Sequence, residues 1–135
     1  MTAPTDDRQT DRVAEADPFE LPEWLGLGEV VWSTEGSVAG AHLVTGRLSR
    51  DENGHSADLL AVDRAYPVPA LPEQWRRAAH QAWTHGQVLL LEVEGRLTLA
   101  VPATAFTADL ALEALRRLAQ SIGVPPQRFV AALRL

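Results

Sequence analysis

A chain of 135 residues, 46% hydrophobic and 22% charged, has material for one folded domain and falls short of what two independent cores need. Its net charge of -6 lacks the basic excess of a nucleic-acid binder, and its lack of cysteine excludes disulfide scaffolds, thiolate chemistry and Cys-ligated metal centres. No run approaches the roughly 18 uninterrupted apolar residues of a membrane helix; the longest candidate, Val88 to Leu91, stops at Glu92.

Met1 to Asp17 reads as a disordered acidic leader, with Asp6, Asp7, Asp11, Glu15 and Asp17 outnumbering Arg8 and Arg12. Such a segment buries too little apolar surface to offset its ordering entropy. It also lacks the basic start and apolar stretch of a secretory signal, so a cytoplasmic protein is expected, with one α+β domain over 18–135. All twelve basic residues are arginine. Arginine suits bidentate contacts with carboxylate or phosphate, but the accompanying richness in Ala, Leu and Val fits the codon bias of a GC-rich bacterial genome more simply.

Pro22 followed by Glu23, Trp24 and Leu25 suits a short helical turn that lays Trp24 over the core. Glu29 to Ser33 reads as a strand. Ala41 to Arg50 and Ala57 to Ala65 alternate as two more, joined by the turn residues Asp51-Glu52-Asn53-Gly54. Pro67, Pro69 and Pro72 break pairing, and Pro72 is placed to open a helix running to about His85. The apolar set of that helix is Trp75, Ala78, Ala79, Ala82 and Trp83, and Gly86 ends it.

Gln87 to Ala103 reads as a hairpin. A three-residue loop at Glu94, Gly95 and Arg96 would oppose Val93 to Leu97, Leu91 to Leu99 and Leu89 to Val101, gathering the leucines on one face. A two-residue Glu94-Gly95 turn would put Val93 opposite Arg96 and is rejected on that ground. Thr104 or Thr107 caps a second helix whose stripe is Ala108, Ala111, Leu112, Leu115, Leu118, Ala119 and Ile122; Gly123 and Pro125-Pro126 end it. Arg128 to Leu135 alternates as a final strand. The predicted order is β-β-β-α-β-β-α-β: an antiparallel sheet of five to six strands with both helices on one face. From Ala57 onward this is the βαββαβ order of a ferredoxin-like sandwich.

A search for chemistry finds no catalytic constellation. His80 and His85 are five apart, about 140° around a helix, where metal-binding helices use i, i+4 spacing. No nucleophile elbow or phosphate loop is present. No catalytic residue, metal site or cofactor is therefore assigned. The first-choice patch for a ligand or partner is Asp63, Arg64, Tyr66, Trp75, Arg76 and His80, where a strand exit meets the first helix. A surface Asp–Arg pair and a packed tyrosine account for the same residues without function. The function expected is a non-catalytic protein-interaction or regulatory module, joining another protein or a second copy of itself through a sheet edge or the leucine-rich hairpin. The alternative is a small-molecule-binding domain or small enzyme with a pocket near Asp63, Tyr66 and His80. Neither nucleic acid nor membrane is expected as a partner.

Overall fold

Seven strands form one mixed sheet in the computed structural model, which describes residues 12–37, 42–64 and 71–134. The elements are β1 (Val13–Glu15), β2 (Val30–Ser37), β3 (Leu43–Arg50), β4 (Asn53–Ala61), α1 (Glu73–Thr84), β5 (Leu89–Val93), β6 (Arg96–Val101), α2 (Ala108–Ser121) and β7 (Phe129–Ala132). Short 3-10 turns lie at Pro18–Glu20, Glu23–Gly26 and Pro126–Arg128. Across the sheet the order is β1-β5-β6-β4-β3-β2-β7. Neighbours run antiparallel except β4 with β6 and β2 with β7, which are parallel.

Local signals set the element ends. Thr107 caps α2 by accepting a hydrogen bond from the Leu110 backbone N–H at 3.2 Å. Pro72 stands one position outside α1 as its cap, and Gly86 at φ 78° ends that helix as its sequence position predicts. β3 and β4 turn at Asp51 and Glu52 alone, since Asn53 and Gly54 of the expected turn cluster already pair with Arg50 and Ser49.

Strand alternation divides the interior into two layers. On one face, Trp32, Leu48, Leu59, Leu90, Leu97 and Leu99 pack with Ala111, Ala114, Leu115 and Leu118 of α2. On the other, Leu60, Leu89, Leu91 and Ala100 pack with Ala79 of α1 and, less deeply, Trp75, Ala78 and Ala82. The two helices therefore lie on opposite faces, correcting the expectation of a shared one. Trp75 and Leu115 both point inward, but toward different layers. The cause is that the central strands are apolar on both sides, the pattern of a sheet covered twice. The C-terminal half is also not a ferredoxin-like sandwich: β4 and β6 are parallel neighbours, and β7 lies beside β2 at the far edge.

The hairpin register is a second correction. Val93 stands opposite Arg96, Leu91 opposite Thr98 and Leu89 opposite Ala100, so the turn is the two-residue one, Glu94-Gly95. Glu94 at φ 52° and Gly95 at φ 82° both have positive φ, as a turn matching the right-handed twist of the flanking strands requires. A third correction concerns the leader. Val13, Ala14 and Glu15 pair with Val93, Glu92 and Leu91, and Arg12 meets Glu94 at 3.1 Å. The leader as predicted thus contains an edge strand; residues 1–11 lie outside the described residues.

Two polar contacts brace the fold, one between neighbouring strands on a single face of the sheet and one between the two helices. Asp58 on β4, 8% exposed, takes a bidentate pair of 2.9 Å hydrogen bonds from Arg96 on β6. That contact raises the Arg96 pKa above its ordinary value. At the end of the sheet, the Arg117 guanidinium of α2 stacks 3.5 Å over the Trp83 ring and donates to the backbone carbonyls of Trp83 and Gln87 at 3.0 and 3.2 Å. Burial lowers the Arg117 pKa, and Glu113 accepts from its Nε at 2.8 Å. Trp83 consequently reaches round the sheet to the α2 layer, away from the face its own helix covers.

Candidate functional site

The predicted patch is assembled only in part. Asp63 is half-buried just past β4, and Arg64 is exposed one residue on. Tyr66 lies outside the described residues. Trp75, Arg76 and His80 share α1, with Arg76 and His80 four apart and hence on one side. What draws Arg64 and Arg76 together is Glu73, which sequence reading missed: it lies 2.8 Å from Arg76, 3.2 Å from Arg77 and 3.8 Å from Arg64. The Arg77 hydrogen bond, opposed by partial desolvation and reinforced by the charges of Arg76 and Arg64, holds the Glu73 carboxyl below its ordinary pKa. Beside this cluster, Trp75 Nε1, Arg76 Nε and His80 Nε2 are buried with no hydrogen-bond partner among the described residues. Such atoms are uncommon in folded proteins, because each costs about 1–3 kcal/mol in lost hydration.

A second site lies at the opposite end of the sheet. A cleft of about 450 Å³ runs between α2 and β7. Trp32, itself fully buried, lines its base with Phe129 and Ala131. Its wall is the α2 flank Asp109, Leu112, Glu113 and Arg116, an i, i+3, i+4, i+7 stripe along one side of the helix. Leu112, which sequence reading counts in the core, is 47% exposed, whereas Leu110, placed beyond the core stripe, is half-buried. The error is a rotation: the core face of α2 centres on Ala111, Ala114, Leu115 and Leu118, and Leu112 sits at its margin. Val130 on β7 is 48% exposed, and beside it on β2 Val31 is 36% exposed. β7 pairs with β2 along one side only; among the described residues nothing pairs with its other edge.

A smaller cleft of about 230 Å³ is bordered by Asp17, Glu20, Glu92 and His55. Burial, then the positive charge of Arg47, lowers the His55 pKa. Asp17 is already engaged, its carboxylate accepting from the Phe19 N–H at 2.9 Å. Among the described residues no group of three His, Asp or Glu side chains is placed to hold a metal ion. No helix among them is long and apolar enough to cross a membrane. The chain matches no protein-family model, no curated protein and no solved structure.

Proposed function

We propose that the chain is a protein-interaction module that works through the cleft between α2 and β7, without chemistry of its own. The observation that carries this reading is the coincidence of a cleft of mixed polar and apolar lining with a strand edge unpaired among the described residues. Leu112 is exposed on the α2 wall of the cleft and Val130 on the sheet face away from α2, and the backbone of β7 stands open between them. An open edge supplies main-chain hydrogen bonds to an added strand, and a neighbouring cleft receives its side chains. The polar residues of the wall support binding more than catalysis, since Glu113 is engaged by Arg116 and Arg117 within α2.

The test compares the wild-type chain with Leu112→Asp and Val130→Asp as bait in lysate of the cells that make it. The near-ultraviolet signal of buried Trp32 serves as the folding control. A protein retained by the wild type and lost by both variants supports the reading. Retention unaffected by either charge sinks it.

The orphaned nitrogens of Trp75, Arg76 and His80 favour a second reading, a small acceptor-bearing molecule bound against α1. Its signature is thermal stabilisation by a carboxylate or phosphate compound that is abolished in Arg76→Gln.

A further inference from the structure

We infer that the partner at β7 is a second copy of this chain, joined about a twofold axis so that β7 pairs antiparallel with its symmetry mate. The inference rests on the reading just given and names the occupant of that surface. Two independent features are self-complementary under such an axis, as an isologous interface requires.

The first is the α2 flank. Asp109 and Arg116 lie seven residues apart on one stripe, with Leu112 and Glu113 between them. When two such stripes face each other antiparallel, Asp109 of each copy meets Arg116 of the other, and Leu112 falls near the axis. The Arg116 side chain is 58% exposed even while it pairs with Glu113, so its guanidinium is open to a second carboxylate. A stripe of one sign would repel its own copy.

The second is the register of β7. With the axis normal to the sheet, residues that oppose each other must point to the same face, leaving Val130 or Ala131 on the axis. Ala131 on the axis would set Arg128 directly against Arg134 of the other copy, a destabilising like-charge pair. Val130 on the axis instead sets Arg128 against Ala132 and Phe129 against Ala131. It also joins the exposed Val31–Val130 patch of each copy into one apolar strip on the sheet face away from α2.

The absence of cysteine gives a direct test. Directly opposed antiparallel residues have Cα atoms about 4.5–5.5 Å apart, inside the range a disulfide spans, whereas Ala131 and its copy would be about 7–8 Å apart, outside it. Val130→Cys is therefore expected to form a covalent dimer under mild oxidation, and Ala131→Cys to stay monomeric in denaturing electrophoresis. By light scattering, Asp109→Arg and Arg116→Asp are each expected to weaken association roughly tenfold, two symmetry-related pairs being removed together. Combining them restores it. A wild-type chain that is monomeric at every concentration overturns the inference, as does a dimer that bridges at Ala131→Cys or ignores the charge exchange. A monomer that still captures a partner through Leu112 and Val130 overturns the dimer alone; one whose capture ignores both variants overturns the cleft as well.

Discussion

At the scale of single residues, Trp32 shows how a strand accommodates a large ring. Its indole lies over Gly46 on β3, where an added Cβ would stand 2.3 Å from two ring carbons and 2.8 Å from the Ser33 carbonyl oxygen. Its Nε1 donates to Thr34 Oγ1 at 2.9 Å, so the ring cannot tilt away without breaking that bond. Gly46→Ala is expected to destabilise by about 1–3 kcal/mol, the range for overpacking a core, as measured by urea unfolding. His55 gives a pH effect whose sign follows from its lowered pKa. The folded state favours the neutral ring, so the unfolded chain takes up the proton first. Stability is then complete above about pH 6.5, the unfolded value, and falls as pH drops through the folded one. His55→Gln is expected to flatten the melting temperature between about pH 7 and 5; an unchanged slope would place the effect elsewhere.

Single elements were legible in the sequence to different depths. Both helices were, because Thr107, Pro72 and Gly86 carry their own capping chemistry and the 3.6-residue period is local. The β5–β6 register was not. Pattern matching decides a register only when one face is polar, and here Leu90 and Leu99 pair on one face while Leu89 and Ala100 pair on the other. Turn stereochemistry decided instead, at some strain: Glu94 sits at φ 52°, where most side chains are disfavoured. Glu94→Asn is expected to raise stability by about 0.5–1 kcal/mol, because asparagine tolerates that conformation. The substitution also removes the ion pair with Arg12, which is exposed on both sides and so contributes little. A fall in the denaturation midpoint would show that β1 depends on that pair. The candidate cleft was hidden for a different reason. Leu112 has the spacing of a core residue, and only the rotation of α2 on the sheet reveals it as exposed.

For the molecule as a whole, the sheet keeps its two apolar layers apart, and Arg117 on Trp83 is a side-chain bridge that joins the helices around it. Arg117→Ala is expected to cost about 1–3 kcal/mol, because it strips the cation from the ring and the donor from two carbonyls at once. Arg117→Lys should recover only part of that, since an ammonium lacks the planar fork. Comparable stability for all three chains would refute the bridge. The parallel pairing of β2 with β7 has a consequence for biosynthesis. Val30 and its partner Phe129 are 99 positions apart, so translation at about 5–20 residues per second leaves the β2 edge bare for roughly 5–20 s after it emerges from the ribosome. During that interval the nascent chain offers a sticky template carrying Val30, Val31 and Trp32, and lesions that delay β7 are expected to surface as inclusion bodies before they surface as weakened affinity.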